Sequence, residues 1–358
     1  MPITRHLYPG GNTSCGFFSY YDQIVSPVEA KRIYILKGGP GVGKSTFMRK
    51  IGQQLHARNL DLEYLHCSSD NDSLDGLFAP AIGLLFLDGT SPHVVDPRLP
   101  GAVDNIINLG DCLDEAGLAP YAASIHALNQ RISAQFLHAY RYLGAADQLR
   151  RDTTARWQEL LDPVQLHALT QTALDALFAG LPAVPGGRER KLFAGAVTPG
   201  GCVCELESLR TKHVWVLEAP WAAPSQSVLL SVRDRALQCG LNVEGYYCAI
   251  HPDRLEHLLI PSLDVLLTTN NPYHSVAPPI ARTLHLTDCF AEPDANARAQ
   301  LDQNAQLFKV LLGHAVQAVA DAKSFHDELE RYYIKHMDYA RADALFAQTL
   351  ERIAPLLP

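Results

Sequence analysis

The sequence predicts an α/β protein built as two tandem three-layer αβα domains, each on a parallel sheet. Two observations carry this. Laying Lys31 on Lys212 aligns the chain with itself as far as His93 on His274 without a gap. KRIYILKGGPGVGKSTFM then falls on KHVWVLEAPWAAPSQSVL, and LDLEYLHCSSDNDSLDGLFAP on LNVEGYYCAIHPDRLEHLLIP. The matched pairs include Leu36 with Leu217, Glu63 with Glu244, Cys67 with Cys248, Asp72 with Asp253 and Pro80 with Pro261. Agreement in length, pattern and punctuation is the mark of duplication. Within each copy, short apolar runs alternate with a helix-length segment, which suits parallel strands covered on both faces. The length of 358 residues fits two domains of about 150 to 200 residues.

Each copy opens with a related lead-in, RHLYPGG from Arg5 and RKLFAGA from Arg190. In the first copy the predicted strands are 32–37, 61–66 and 82–87, with a helix between the first two and a short connection before the third. Long helices close each copy. From Ala122 to Leu149 the apolar residues Ile125, Leu128, Ile132, Phe136, Tyr140 and Leu143 recur every three or four positions, an amphipathic period. The counterpart helix is predicted from about Lys323, through Phe325, Leu329, Tyr332, Met337 and Ala340, with SFH at Ser324 echoing SIH at Ser124. Proline and glycine in LPAVPGGRER, Leu181 to Arg190, break any regular element. The predicted domains are therefore 1–185 and 186–358.

Composition is that of an ordinary globular protein, 47% apolar and 19% charged. Thirty Lys and Arg against 38 Asp and Glu give a formal charge of -8, the wrong sign for a nucleic-acid surface, and no dense basic run offsets it. No stretch reaches about 18 uninterrupted apolar residues and the start lacks a signal-peptide core, so the expected location is the cytoplasm, with no membrane partner. The eight cysteines set no metal framework: Cys202 and Cys204 are closer than a CxxC pair and no second close pair follows, so reduced thiols are expected.

The chemistry is concentrated after the first strand. Gly38-Gly39-Pro40-Gly41-Val42-Gly43-Lys44-Ser45 satisfies GxxxxGK[ST], and an apolar strand precedes it while a helix follows. In such a loop the glycines let successive backbone N–H groups face phosphates, and the helix adds its positive end. Lys44 is expected to reach the β- and γ-phosphates, Ser45 to ligate Mg²⁺, and Thr46 to support the α-phosphate. AIGLLFLD ends in Asp88, the carboxylate expected at a strand end as the second Mg²⁺ ligand. Ligands of open parallel sheets gather beyond the strand ends, so HCSSDNDSLDG and DGTSPHVVDPRLPG are placed to face the phosphates. They offer Asp70, Asp72 and Asp75, and then His93, Asp96 and Arg98. Asp70 or His93 is expected to position the attacking oxygen and Arg98 to contact phosphate. Asp72 and His93 recur as Asp253 and His274, which equally suits a shared structural role.

The second copy has lost this pattern. Its loop reads Ala219-Pro220-Trp221-Ala222-Ala223-Pro224-Ser225-Gln226, with Ser225 for Lys44, Gln226 for Ser45 and Thr269 for Asp88. Side chains and prolines occupy positions that must present amides, so one nucleotide per chain is expected at this kind of site.

These motifs look like those of P-loop nucleoside triphosphate hydrolases and related kinases. More closely, the chain resembles a bacterial family of tandem P-loop ATPase-like, nucleotide-kinase-like proteins. The resemblance runs nearly full length, through GGNTSCGFFSYYD, ILKGGPGVGKST, HCSSDNDSLDG, DGTSPHVVDPRLPGAVDNIINLGD and KSFHDELERYYIKHMDY. It implies two P-loop NTPase-like domains, with ATP and Mg²⁺ as cofactors, and it names no substrate. The eroded second loop departs from the family pattern. The expected function is ATP hydrolysis or transfer of a phosphoryl group to a small-molecule acceptor. The alternative is a nucleotide-dependent switch acting on a protein partner, and a homodimer is compatible with the sequence. No NKxD-like base-reading motif points to guanine, and no arginine-rich lid to a nucleoside-monophosphate kinase.

Overall fold

The computed structural model describes residues 2–26, 28–92, 94–274 and 279–358. The first copy begins with β1 (Thr4–Leu7) and a hairpin of β2 (Gly10–Thr13) and β3 (Gly16–Ser19), followed by β4 (Arg32–Lys37) and α1 (Lys44–His56). It continues through β5 (Leu62–His66), β6 (Leu74–Ala79), β7 (Leu84–Asp88), β8 (Asp104–Asn108) and the single turn α2 (Glu115–Leu118). Two helices follow, α3 (Ala122–Leu160) and α4 (Pro163–Phe178). The second copy runs β9 (Glu189–Leu192), β10 (Gly195–Thr198), β11 (Gly201–Cys204), β12 (His213–Glu218), α5 (Gln226–Gln238) and β13 (Val243–Tyr247). It ends with β14 (Leu255–Ile260), β15 (Val265–Asn270), β16 (Ile280–His285), α6 (Ala295–Ile334) and α7 (Tyr339–Ile353).

The sheets are mixed rather than parallel, which corrects the sequence expectation. The first has the order β1-β5-β6-β7-β4-β8, and the second repeats it as β9-β13-β14-β15-β12-β16. In the first, β6 is antiparallel to β5 and to β7, while β1, β5, β7, β4 and β8 run one way. The segment read as a loop beyond the second strand is in fact a hairpin. Its return arm Leu74–Ala79 is buried along its whole length. Asp75 and Gly76 disguise it, because both residue types are depleted in strands. Gly76 is needed for packing: a Cβ there would stand 2.8 Å from Leu65 Cδ1 and 3.0 Å from the Phe86 carbonyl oxygen.

The chain divides into two compact units that are not consecutive halves. Unit 1 holds residues 1–11, 19–138 and 317–358, and unit 2 holds 12–18 and 139–316. Relative to the duplication boundary near residue 185, the closing helices are exchanged. In unit 1, Leu113 bridges Met337 and the Asp338 carboxylate caps α7. In unit 2, Phe290 bridges Leu161 and Asp162 caps α4, the same construction with the opposite copy's helix. The α6 helix starts at Ala295, far ahead of the predicted Lys323, so SFH lies near its end while SIH opens α3. The two tripeptides are not equivalent positions.

In unit 1 the core lies between the sheet, α1 and α7. Tyr34 stacks on Phe86 at 4.9 Å and Phe47 meets Phe346 edge-on at 5.4 Å. In unit 2, Phe308 of α6 packs against Trp221 at 4.9 Å and Tyr273 at 5.2 Å. Trp157 meets Phe290 at 5.2 Å. Among the described residues, no helix is long and apolar enough to cross a membrane.

Candidate functional site

Unit 1 brings the GxxxxGK[ST] residues and Asp88 together at the carboxyl ends of β4 and β7. These strands are parallel neighbours, with Leu36 opposite Asp88. Between β4 and α1 the loop turns on glycines with positive φ. Gly41 has φ +70, and Gly43, the residue before α1, has φ +88. An L side chain is strained at either angle. Val42 is buried beneath the loop and Thr46 is exposed at its end.

Lys44 folds back into this loop. Its ammonium donates to the carbonyl oxygens of Gly38 and Gly39, each at 3.0 Å, and lies 3.5 Å from Asp88 Oδ2. Both side chains are largely shielded, 10% and 14% exposed, so the attraction is screened less than at an open surface. The other Asp88 oxygen accepts from the Thr90 amide at 2.9 Å and the Thr90 hydroxyl at 2.6 Å. Ser45 Oγ accepts the Leu74 amide at 3.0 Å, tying the start of α1 to the start of β6. Lys37 holds the segment after β7, donating to the carbonyls of Gly89 and Val95 at 2.8 Å and meeting Asp96 at 3.3 Å. The first amides of a helix lack partners within it, so here amides, an ammonium and a carboxylate converge. Such a site can hold a polyanion, with the hard oxygens of Ser45 and Asp88 suited to a small divalent cation.

The acidic hairpin divides by role. Asp70 accepts the Ser73 hydroxyl at 2.9 Å and lies 3.6 Å from Lys323 Nζ. Asp72 offers its backbone carbonyl to Arg49. Asp75 is buried, and its charge helps hold the Tyr21 phenol and the Cys67 thiol well above their usual ranges, after burial itself. Of the residues after β7, His93 lies outside the described residues. Arg98 has an exposed side chain, and its backbone amide is held by Asp104 at 2.6 Å. Among the described residues, no hydrogen bond or ion pair joins Arg98 to Lys44, Ser45 or Asp88.

The end of α6 belongs to this site, and the sequence reading gave it no role. A methyl group on Gly39 would lie 2.6 Å from Tyr333 Cε1, and one on Gly41 would lie 3.1 Å from the Glu330 carbonyl oxygen and Ile334 Cγ1. The helix therefore rests on the outside of the loop. About two turns before Glu330, Lys323 pairs with Asp327 as well as Asp70. His326, Asp327 and Glu330 form a small set of metal-capable groups on the same stretch. The available signal was KSFHDELERYY itself, a polar run in a helix predicted to serve the second copy.

In unit 2 the corresponding loop keeps part of the backbone shape without the chemistry. Ala222, the counterpart of Gly41, has φ +62, and Ala222 and Ala223 are buried. The Ala222 carbonyl accepts from Thr154 at 2.7 Å, and α5 starts at Gln226. Thr269, in place of Asp88, is buried and bound to His274 at 2.8 Å.

No protein-family model matches this chain, and no curated protein or solved structure matches it either. The functional reading therefore rests on these residues alone.

Proposed function

We propose that unit 1 binds the triphosphate of ATP with Mg²⁺ in the loop from Gly38 to Thr46, and that the chain hydrolyses or transfers the γ-phosphoryl group. One observation carries this reading: the Lys44 ammonium sits between the loop carbonyls and Asp88, where an incoming phosphate chain would compete for it. On binding, Lys44 exchanges its carbonyl partners for phosphate oxygens and stabilises charge on the transferring group. Ser45 and Asp88 hold the metal ion, and Asp70, poised by Ser73 and Lys323, orients the attacking oxygen. ATP is the default nucleotide of this proposal, since the sequence carries no NKxD-like pattern to point to guanine.

The contact of Tyr333 and Glu330 with the loop supports a second reading, a switch in which filling the loop repositions the end of α6 for a protein partner. The test follows γ-labelled ATP with Mg²⁺, using wild type and Lys44→Ala, with and without a filtered metabolite pool. Label on a new small molecule in wild type alone identifies a kinase, and inorganic phosphate alone an ATPase. Tight binding with negligible turnover supports the switch. No binding in wild type defeats all three.

A further inference from the structure

Unit 2 contains a set of ligating groups, two buried and one partly buried, that the chemistry proposed for unit 1 does not use. It lies in a pocket lined in part by Trp221 of the degenerate loop, by Cys202 and Cys204 of β11, and by Glu256, His257 and His274. One ligating atom from each of the last three residues falls within 4.8 Å of the other two.

A β-bulge makes this convergence possible. Tyr246 pairs with His257 and the next residue, Tyr247, with Leu255, so Glu256 is the extra residue on β14. In a regular strand Glu256 and His257 would face opposite sides of the sheet, whereas a bulge re-aims them. Unit 1 has the same bulge, Leu65 opposite Gly76 and His66 opposite Leu74, with Asp75 as the extra residue. There the histidine position is Gly76, so the first copy has no imidazole at this place.

The hydrogen bonds leave one ring nitrogen of His257 without a proton. His257 Nδ1 lies 2.6 Å from Thr268 Oγ1, and that hydroxyl donates to the Thr269 carbonyl at 3.0 Å. The tautomer that satisfies all three groups has Nδ1–H donating to Thr268, which leaves Nε2 bare. A ligating histidine is ordinarily oriented in this way by its second nitrogen. His274 Nε2 is 2.8 Å from Thr269 Oγ1 and 3.1 Å from Asn271 Nδ2, while its Nδ1 lies 3.4 Å from Asn271 Nδ2, which an ion would displace, and 3.8 Å from Glu256 Oε2. That gap is too long for a hydrogen bond but close to the separation of two ligands around one tetrahedral ion, about 3.4 Å for bonds near 2.1 Å. The other Glu256 oxygen lies within ion-pair distance of Arg254, at 3.7 Å.

We propose that Glu256, His257 and His274 bind one divalent first-row transition-metal ion of the zinc class. Two imidazoles and a carboxylate suit such an ion and leave at least one coordination position open. Cys202 and Cys204 stand in the same pocket, and a thiol that joined the ion would release its proton and offset the charge of Arg254.

The test uses the full chain, stripped with chelator and shown to be folded by circular dichroism. It is titrated with Co²⁺ and with Zn²⁺, reading the visible Co²⁺ spectrum, proton release and metal retained after desalting. One ion per chain is expected, with the intense visible bands of low coordination number, in wild type and in Lys44→Ala alike. Because His257 is fully enclosed, Glu256→Gln and His274→Gln are the informative variants. Both are expected to weaken binding by at least about 10–100-fold while their melting curves without metal stay close to wild type. Folded wild type that retains no metal, or variants that bind as tightly as wild type, overturns the assignment. A six-coordinate, weakly coloured Co²⁺ spectrum also overturns it, since it marks a solvated surface ion.

Discussion

Lys44 and Asp88 face each other across 3.5 Å from opposite sides of the loop, one at the start of α1 and the other at the end of β7. Under the proposed function they divide the work of a Mg²⁺-triphosphate site. Lys44→Ala removes the charge that meets phosphate, so ATP binding should fall with or without Mg²⁺, and turnover should fall by about 10²–10³-fold. Asp88→Asn removes the carboxylate proposed for the cation, and with it the ion pair to Lys44, but no charge that meets phosphate. Its binding of metal-free ATP should persist while the strengthening by Mg²⁺ disappears. Calorimetric titrations with and without Mg²⁺ separate the two, and equal losses in both conditions for both variants would show that the division is wrong.

Gly39 is pinned between the loop and Tyr333. In Gly39→Ala the new methyl meets the ring at 2.6 Å, so the ring or the end of α6 must move. Overpacking of this kind costs about 1–3 kcal/mol. Tyr333→Ala removes the obstacle, so the double variant should recover most of that loss. A double-mutant cycle on urea midpoints measures the coupling. Additive effects would mean that α6 does not constrain the loop.

Several parts of this arrangement were legible in the residues. β4, the glycine loop and the start of α1 at Lys44 follow from an apolar run, a phosphate-loop pattern and a helix-forming stretch in succession. Asp88 ends its strand as AIGLLFLD suggests. What escaped were features set by tertiary context. β6 was hidden because Asp75 and Gly76 obey local packing rather than strand propensity, and the bulge that re-aims Asp75 and Glu256 leaves no mark in one-dimensional periodicity. The exchange of α4 and α7 was hidden for another reason. Duplication reveals which segments are alike, but likeness cannot tell which core a helix covers.

His66 gives unit 1 a dependence on acid. Burial first, and then His6, outweigh the Asn71 carbonyl and hold its imidazole at about 4 against 6.5. The folded value lies below the unfolded one, so between these limits the unfolded chain binds more protons and stability falls as pH drops from 6.5 to 4. The full shift would correspond to about 3 kcal/mol, and partial solvent access reduces this to on the order of 2. Hydrogen exchange of the β5 amides in urea, at a series of pH values, should show this decline in wild type. His66→Gln, which does not titrate, should be flatter. An unchanged slope in the variant would assign the acid sensitivity to other groups.

Asp147 centres a charge cluster on the part of α3 that belongs to unit 2, and its contribution can be read by tryptophan fluorescence alone. All three tryptophans of the chain, Trp157, Trp215 and Trp221, lie within unit 2. Burial would raise the Asp147 carboxyl, but hydrogen bonds from Arg151 and Arg150 outweigh it and hold it below the usual carboxylate range. Arg150 donates to one oxygen at 2.9 and 2.8 Å and is itself buried, whereas Arg151, at 2.7 Å from the other oxygen, is half exposed. Asp147→Asn leaves Arg150 enclosed without its counter-charge, a loss of about 3–5 kcal/mol. Arg151→Gln breaks a partly solvated pair and should cost less than about 1 kcal/mol. Urea titrations followed at the tryptophan emission should therefore move the Asp147→Asn midpoint far more than the Arg151→Gln midpoint. Comparable shifts would mean that the solvent-facing arginine, and not burial of Arg150, sets the strength of the cluster.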